Sequence, residues 1–380
     1  MAEPVAGQLP DMSSAATDHA FGSGEEFTLG VEEELFLVDP VTGSQVNASE
    51  AVLGRMRADG PGRAERELHA CQIELITGVC GVVGEAVEQL SALRRAVLAT
   101  GTGLIGTGTH PSAAEGEAEI TDRSRYERIQ QALGDAVATP VGGLHIHVGM
   151  PDPETAIRAF NGLRIHLPAL QALGANSPFR HGRDTGLASA REVTVRGWPR
   201  SGVPRAMADF EDFQTATERL VRAAEVPDYT WFWWKLRPHP RLGTVEIRAL
   251  DAQTRPEETA TLVALAHCLA REAATAPARP HPPAEVLEEA IFKAARFGTR
   301  ARLPGVDGVP RPLPEILRET VPGAREHAQD LGCEAELEGL DGLLARSGEA
   351  RQREAYEIAG LQAVLRELLS ATDPDGRRGI

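Results

Sequence analysis

The chain has 380 residues, 42% apolar and 25% charged, a balance that allows a sizeable buried core and excludes a wholly disordered polymer. With 39 Lys and Arg against 55 Asp and Glu, the net charge of −16 argues against a nucleic-acid partner, whose phosphates call for a basic surface. No segment stays apolar for the length of a bilayer span and no secretory leader precedes the fold, so a cytoplasmic protein without a membrane partner is expected.

Residues 1–26 are rich in Ala, Ser, Gly and acidic side chains without periodicity and read as a flexible extension; residues 27–375 read as one catalytic domain with a helical C-terminal part. The run FTLGVEEELFLV from Phe27 is a strand, closed by the turn formers Asp39, Pro40 and Gly43. Residues 48–58 have helical character, ERELHACQIELIT that of a strand, and VGEAVEQLSALRRAVLATGTG that of an amphipathic helix with a glycine stop. LIGTGTHP is a short buried strand entering a turn, RSRYERIQQAL a polar helix and GGLHIHVGMPD a strand. A helix spans about 153–173, with Pro168 predicting a kink or break.

NSPFRHGRDTGLASAR is dense in turn formers and arginine, as expected of an active-site loop. A helix near 204–224 precedes YTWFWWKLRPHP and LGTVEIRALDAQT, two strands joined by a turn; helices at about 256–275, 283–297 and 325–370 complete the chain. Strands joined by turns, mixed with strands separated by helices, favour an α+β fold with a mainly antiparallel sheet. Cys71, Cys80, Cys268 and Cys333 form no CxxC pair and read as small buried apolar residues in a reducing compartment.

The two-residue strand period places Glu32 and Glu34 on one face of VEEEL and Glu33 on the other. The same rule pairs His145 with His147 and Glu246 with Arg248, while Glu74, between Ile73 and Leu75, is a carboxylate in a strand suited to burial. Each feature has an ordinary explanation: a solvated Glu, a hydrogen-bonded structural His, a cross-strand ion pair. The explanations weaken together, because four strands would need polar inward faces by accident. A carboxylate-rich, histidine-poor set suits Mg²⁺ or Mn²⁺ carrying a triphosphate, with Arg248 neutralising the transferred phosphoryl group. No P-loop or GxGxxG is present. Residues 231–234, WFWW, read as core and edge packing, with ligand stacking as the second reading.

TLGVEEELFLVD, CQIELITGVC, GTHP, RYERI, GLHIHVGMPD, NSPFRHGRDTGLASAR, WPRSGVP and RPHPRLGTVEIRALD occur in the order seen in the type 2 glutamate-cysteine ligase family, and the chain most resembles its carboxylate-amine ligase branch. The resemblance runs from about residue 26 to about 370. It implies a glutamine-synthetase-like fold, a curved antiparallel sheet with helices on its outer side, and ATP-dependent joining of a carboxylate to an amine through an acyl phosphate. By motif position it implies that Glu32, Glu34, Glu74, His145, His147 and Glu246 line the metal site. His145, His147 and Arg248 would meet nucleotide or phosphate, with Arg248 and Glu74 catalytic. Arg180, Arg183 and Arg191 become candidates for clamping a substrate carboxylate, and Asp184 for contacting the amine. Glutamate is the expected acid, cysteine one candidate amine, and a homodimer the expected assembly. Phosphate transfer onto a guanidino or amine nitrogen, and a non-catalytic nucleotide- or amino-acid-binding member, are the alternative functions.

Overall fold

A computed structural model describes residues 19–277, 280–305 and 307–376. The first elements are β1 (Leu29–Val38), α1 (Ser49–Arg55), β2 (Arg63–Arg66), β3 (Gln72–Ile76), α2 (Val83–Ala99), β4 (Gly103–Ile105), α3 (Ser124–Leu133) and β5 (Gly143–Gly149). Next come α4 (Pro153–Leu163), α5 (Leu167–Leu173), the two-residue strands β6 (Phe179–Arg180) and β7 (Arg183–Asp184), α6 (Ala190–Val195) and α7 (Phe210–Ala224). Strands β8 (Leu236–His239) and β9 (Thr244–Asp251) lead into α8 (Pro256–Thr275), α9 (Ala284–Phe297), α10 (Leu313–Ala328), α11 (Glu334–Leu337), α12 (Leu340–Ala345) and α13 (Gly348–Thr372).

The main sheet runs β2-β3-β1-β5-β9-β8, with β4 on the end of β1, and every pairing is antiparallel. The expected α+β class is observed. Register fixes the two faces. Glu33 stands opposite Leu75 and Leu144, Val31 opposite Ile146, and Ile146 opposite Ile247, so this face is apolar and packs against the helical layer around α8, which touches α2, α4 and α10. The exception on that face is Glu33, which Arg94 of α2 grips with two nitrogens at 2.9 and 2.7 Å while Thr259 of α8 donates to the same carboxylate at 2.7 Å. Both charges are fully buried, and their mutual bonding offsets the cost of taking them out of water.

Local chemistry explains the departures from the expected elements. Asp152 caps α4 by accepting from the Thr155 amide, and the helix stops at Leu163 because Pro168 belongs to the first turn of α5, where a missing N–H costs nothing. The aromatic run expected to be one strand splits into a 3-10 turn, Tyr229–Trp231, and β8. The C-terminal helix is interrupted, with Gly360 at φ +65°. Residues 19–26 are not a loose extension: Phe21 is buried edge-on against Phe210, and the amides of Ala20 and Gly22 donate to Pro240 and Met150 carbonyls at 2.8 and 3.0 Å. The remainder of the expected extension, 1–18, lies outside the described residues. No described helix is long and apolar enough to cross a membrane.

Candidate active site

The polar face of the sheet carries one cluster built from five strands. Glu32 stands opposite His145, Glu34 opposite Glu74, and His147 opposite Glu246, which in turn faces Arg237 of β8. Alternation alone aligns these residues, with one irregularity. Between Leu144 and Ile146 the β5–β9 register shifts, β9 spending three residues on two of β5, and this bulge lies at Arg248 and Ala249, where it re-aims the Arg248 side chain.

The side chains lie within hydrogen-bonding or ion-pairing reach of one another. The two oxygens of Glu32 face different histidines: Oε2 lies 3.2 Å from His145 Nδ1 and Oε1 lies 3.5 Å from His147 Nε2. His147 Nε2 is also 3.7 Å from Glu246, and His145 Nε2 is 3.7 Å from Glu34. His147 Nδ1 bonds the Thr244 hydroxyl at 3.0 Å. Glu246 is held by Arg237 at 2.7 Å and by Arg248, while Glu34 accepts from the Gly143 amide at 2.7 Å.

Charge is divided unevenly over the carboxylates. Burial would raise Glu32, but His147 and His145 outweigh it and hold the carboxyl far below the usual range. Arg237 and Arg248 likewise overcome burial at Glu246. At Glu74, burial and the charges of Glu32, Glu67 and Glu34 outweigh Arg248 and push the carboxyl well up. Glu67, on the segment between β2 and β3, is pushed up to about 8 by burial and Glu34. Protonated carboxyls crowded against ionised ones are what a divalent cation would neutralise.

The residues fit that role on two counts. Glu32, His147 and Glu246 form one triad and Glu32, Glu74 and His145 another, with ligand atoms within 4.8 Å of one another. The Nε2 atoms of His145 and His147 are buried without a hydrogen-bond partner, a state that leaves a lone pair or proton unused.

A hollow opens at each end of the cluster. The first, about 60 Å³, is lined by Glu34, His145, Arg191, Arg248, Trp198 and Trp233. The second, about 380 Å³, is lined by Glu32, His147 and the backbone of Gly30, Gly149 and Gly243, with the exposed side chains of Val79 and Leu242 also along it. A further cavity, about 520 Å³ between α4 and α8, shares no residue with the cluster.

Against this geometry, the comparisons with known proteins agree. The model of glutamate-cysteine ligase family 2 matches residues 28–368. The chain belongs to that family. A protein named "Putative glutamate--cysteine ligase 2-3" from Rubrobacter xylanophilus is 41% identical over 365 residues, covering 93% of this chain and 99% of its own length. A "Glutamate--cysteine ligase" from Haloferax volcanii is 35% identical over 371 residues, covering 91% and 98%. The crystal structure of a glutamate-cysteine ligase from Francisella tularensis in complex with AMP superposes with a TM-score of 0.68 over 93% of this chain and 89% of that one, at 12% identity, a likeness of fold. This family member is thereby an ATP-dependent ligase of the carboxylate-amine type.

Of the residues singled out by sequence, Glu32, Glu34, Glu74, His145, His147, Glu246 and Arg248 are brought together. Arg191 joins them at the smaller hollow, 6% exposed. The other loop candidates are placed elsewhere. Arg183 is exposed on the β6–β7 hairpin, Asp184 pairs with Arg353 of α13, and Arg180 donates to Thr194 of α6 at 2.7 Å; none lines either hollow. Asp184 and Arg180 tie the hairpin to its neighbours, and Arg183 stands exposed on it, away from both hollows. The sequence reading passed over Glu67, Arg237, and Lys235, which meets Glu192 in a buried ion pair. Alternation along KLRPH would have put Lys235 and Arg237 on one face; Glu67 sits in an irregular segment with no period to read. Trp233 is not mere packing, since it walls the smaller hollow. The four cysteines are buried, as expected, and unbridged.

Proposed function

We propose that this family member uses ATP to convert an amino-acid carboxylate into an acyl phosphate, which an amine then attacks to give an amide. The observation that supports it is the shared cluster of carboxylates and unpartnered histidine nitrogens lying between two unlike hollows. The larger hollow, with a glycine backbone and apolar Val79 and Leu242, suits a nucleoside; the smaller one, with cationic side chains and two indoles, suits a short acid. AMP in the fold neighbour and the names of the relatives support nucleotide, glutamate and cysteine as the first compounds to try.

Glu32, Glu74, Glu246, His145 and His147 would hold Mg²⁺ or Mn²⁺, which when bound supplies positive charge to phosphate oxygens. The chain's own residues do the rest. Arg248, kept charged by Glu246 and Glu34, faces charge developing on the transferred phosphoryl group. Arg191, whose two terminal nitrogens hydrogen-bond the Arg248 carbonyl at 3.4 Å, whose Nε has no hydrogen-bond partner and whose charge is felt by Asp251, is placed to clamp the substrate's carboxylate. The acid's oxygen attacks the γ-phosphorus and ADP leaves; the amine nitrogen attacks the acyl carbon, phosphate leaves and the ammonium proton is lost to solvent. The two indoles exclude water from the smaller hollow, which protects the mixed anhydride.

ADP and phosphate release measured over a panel of acids and amines, beginning with L-glutamate and L-cysteine, tests the reading. Hydroxylamine should trap a hydroxamate. AMP and pyrophosphate as products, or a stable phosphorylated nitrogen, would overturn it.

A further inference from the structure

Arg191 sits on α6, a helix of only 6 residues following a long irregular loop, yet its guanidinium must hold one place for a substrate to find it. What fixes it lies behind the site. Asp251, the last residue of β9 and 1% exposed, accepts three hydrogen bonds. The Asn176 amide and the Ser177 hydroxyl donate to its Oδ2 at 2.9 and 2.7 Å, and the Ser189 hydroxyl donates to Oδ1 at 2.8 Å. Ser177 and Ser189 are the two ends of the loop that carries the hairpin, and they are bridged to each other.

Both hydroxyls then pass the constraint on to α6. Ser177 Oγ accepts from the Arg191 amide at 3.2 Å, and Ser189 Oγ accepts from the Glu192 amide at 3.2 Å as the helix cap. One carboxylate thus determines where both serine oxygens point, and these set the backbone of Arg191 and its neighbour. Asp251 lies on the same strand as Arg248, so the strand that faces phosphate also aligns the arginine assigned to the acid.

We infer that Asp251 is a positioning residue for Arg191, acting through Ser177 and Ser189 to present its guanidinium to the acid substrate. This rests on the reading of Arg191 as the carboxylate clamp. A lost clamp weakens ground-state and transition-state binding alike, so it raises KM rather than lowering kcat.

The experiment compares Asp251→Asn, Ser177→Ala, Arg191→Gln and the Asp251→Asn/Arg191→Gln double variant with L-glutamate, L-cysteine and Mg-ATP. Arg191→Gln and Asp251→Asn should each raise KM for glutamate about tenfold with KM for ATP within about twofold. The double variant should be no worse than Arg191→Gln, because one residue acts through the other. A substrate-free readout runs alongside: phenylglyoxal labelling of Arg191, followed by peptide mass spectrometry, should rise about threefold in Asp251→Asn and in Ser177→Ala, as burial of the guanidinium is relaxed. Ser177→Ala keeps the carboxylate and serves should Asp251→Asn fail to fold.

Additive effects in the double variant, equal rises in the two KM values, or unchanged labelling of Arg191 would overturn the inference. If Arg191→Gln leaves KM for glutamate unaltered while labelling rises, the clamp assignment falls and the structural link from Asp251 to Arg191 stands. If glutamate is not turned over at all, labelling decides the link alone.

Discussion

Replacing Glu74 with Gln preserves the side chain's shape and removes its charge, so it separates what the carboxylate costs the metal-free protein from what it does for the loaded one. Ligand atoms of Glu74 and Glu32 lie within 4.8 Å; at an effective dielectric constant near 20, two unit charges at that separation repel by about 3.5 kcal/mol. Glu74 has its pKa raised well above 4.5 by burial, Glu32, Glu67 and Glu34. Between that ordinary value and the raised one the native state binds more protons than the unfolded chain, so this group makes stability fall as pH rises. The Gln variant lacks that slope. Without metal it should match the parent near pH 5 and exceed it at pH 8 by about 3.5 kcal/mol, or about 4 °C in melting temperature for a chain of this length. With Mg-ATP the order should reverse: the parent gains the stabilisation any tight native-state ligand confers, the variant gains little, and turnover falls about 100-fold or more. Thermal melts at the two pH values, with and without Mg-ATP, check both halves. A metal-free variant no more stable than the parent at pH 8, or one stabilised equally by Mg-ATP, would refute the placement of Glu74 in a shared ion site.

Three further outcomes follow from the same geometry. Mg²⁺ binding should strengthen as pH rises from 6 to 8, because Glu74, pushed well up by burial and the neighbouring carboxylates, must lose its proton to serve as a ligand; calorimetry in two buffers of different ionisation heat should show proton release, and a flat profile would contradict it. Arg94→Met leaves Glu33 buried behind the sheet without its counter-charge and should cost about 3–5 kcal/mol in urea denaturation, far more than any exposed pair. Arg183→Ala and Asp184→Ala should change KM for the acid by less than about twofold and stability by less than about 1 kcal/mol, as expected of solvent-exposed charges; a tenfold loss would return the hairpin to the site.

The cluster was legible because strand alternation is rigid: once VEEEL, LHIHVG and VEIRALD are strands, Glu32, His145, His147 and Glu246 share a face wherever the strands pair. Glu74 announced itself as a carboxylate among apolar neighbours. What escaped lacked a period. Glu67 lies between β2 and β3 in a segment read as one continuous strand. The aromatic run hid the phase of Lys235 and Arg237, since its first residues turn before β8 begins. Arginine density in the loop after α5 pointed at chemistry for four residues, but only Arg191 is delivered there; charge composition cannot tell a clamp from the pairing of Asp184 with Arg353. Residues 19–26 looked like a tail because only Phe21 among them is apolar and bulky, and the backbone bonds of Ala20 and Gly22 leave no trace in the sequence.

Glu32 stands in both triads, each of its oxygens committed to a different histidine. Were an ion held in each triad, both would share Glu32, so the two positions would not fill independently. Loss of Glu74 or Glu246 would strip one position, whereas loss of Glu32 would empty both, so a titration following occupancy should lose one step in the first case and its whole signal in the second.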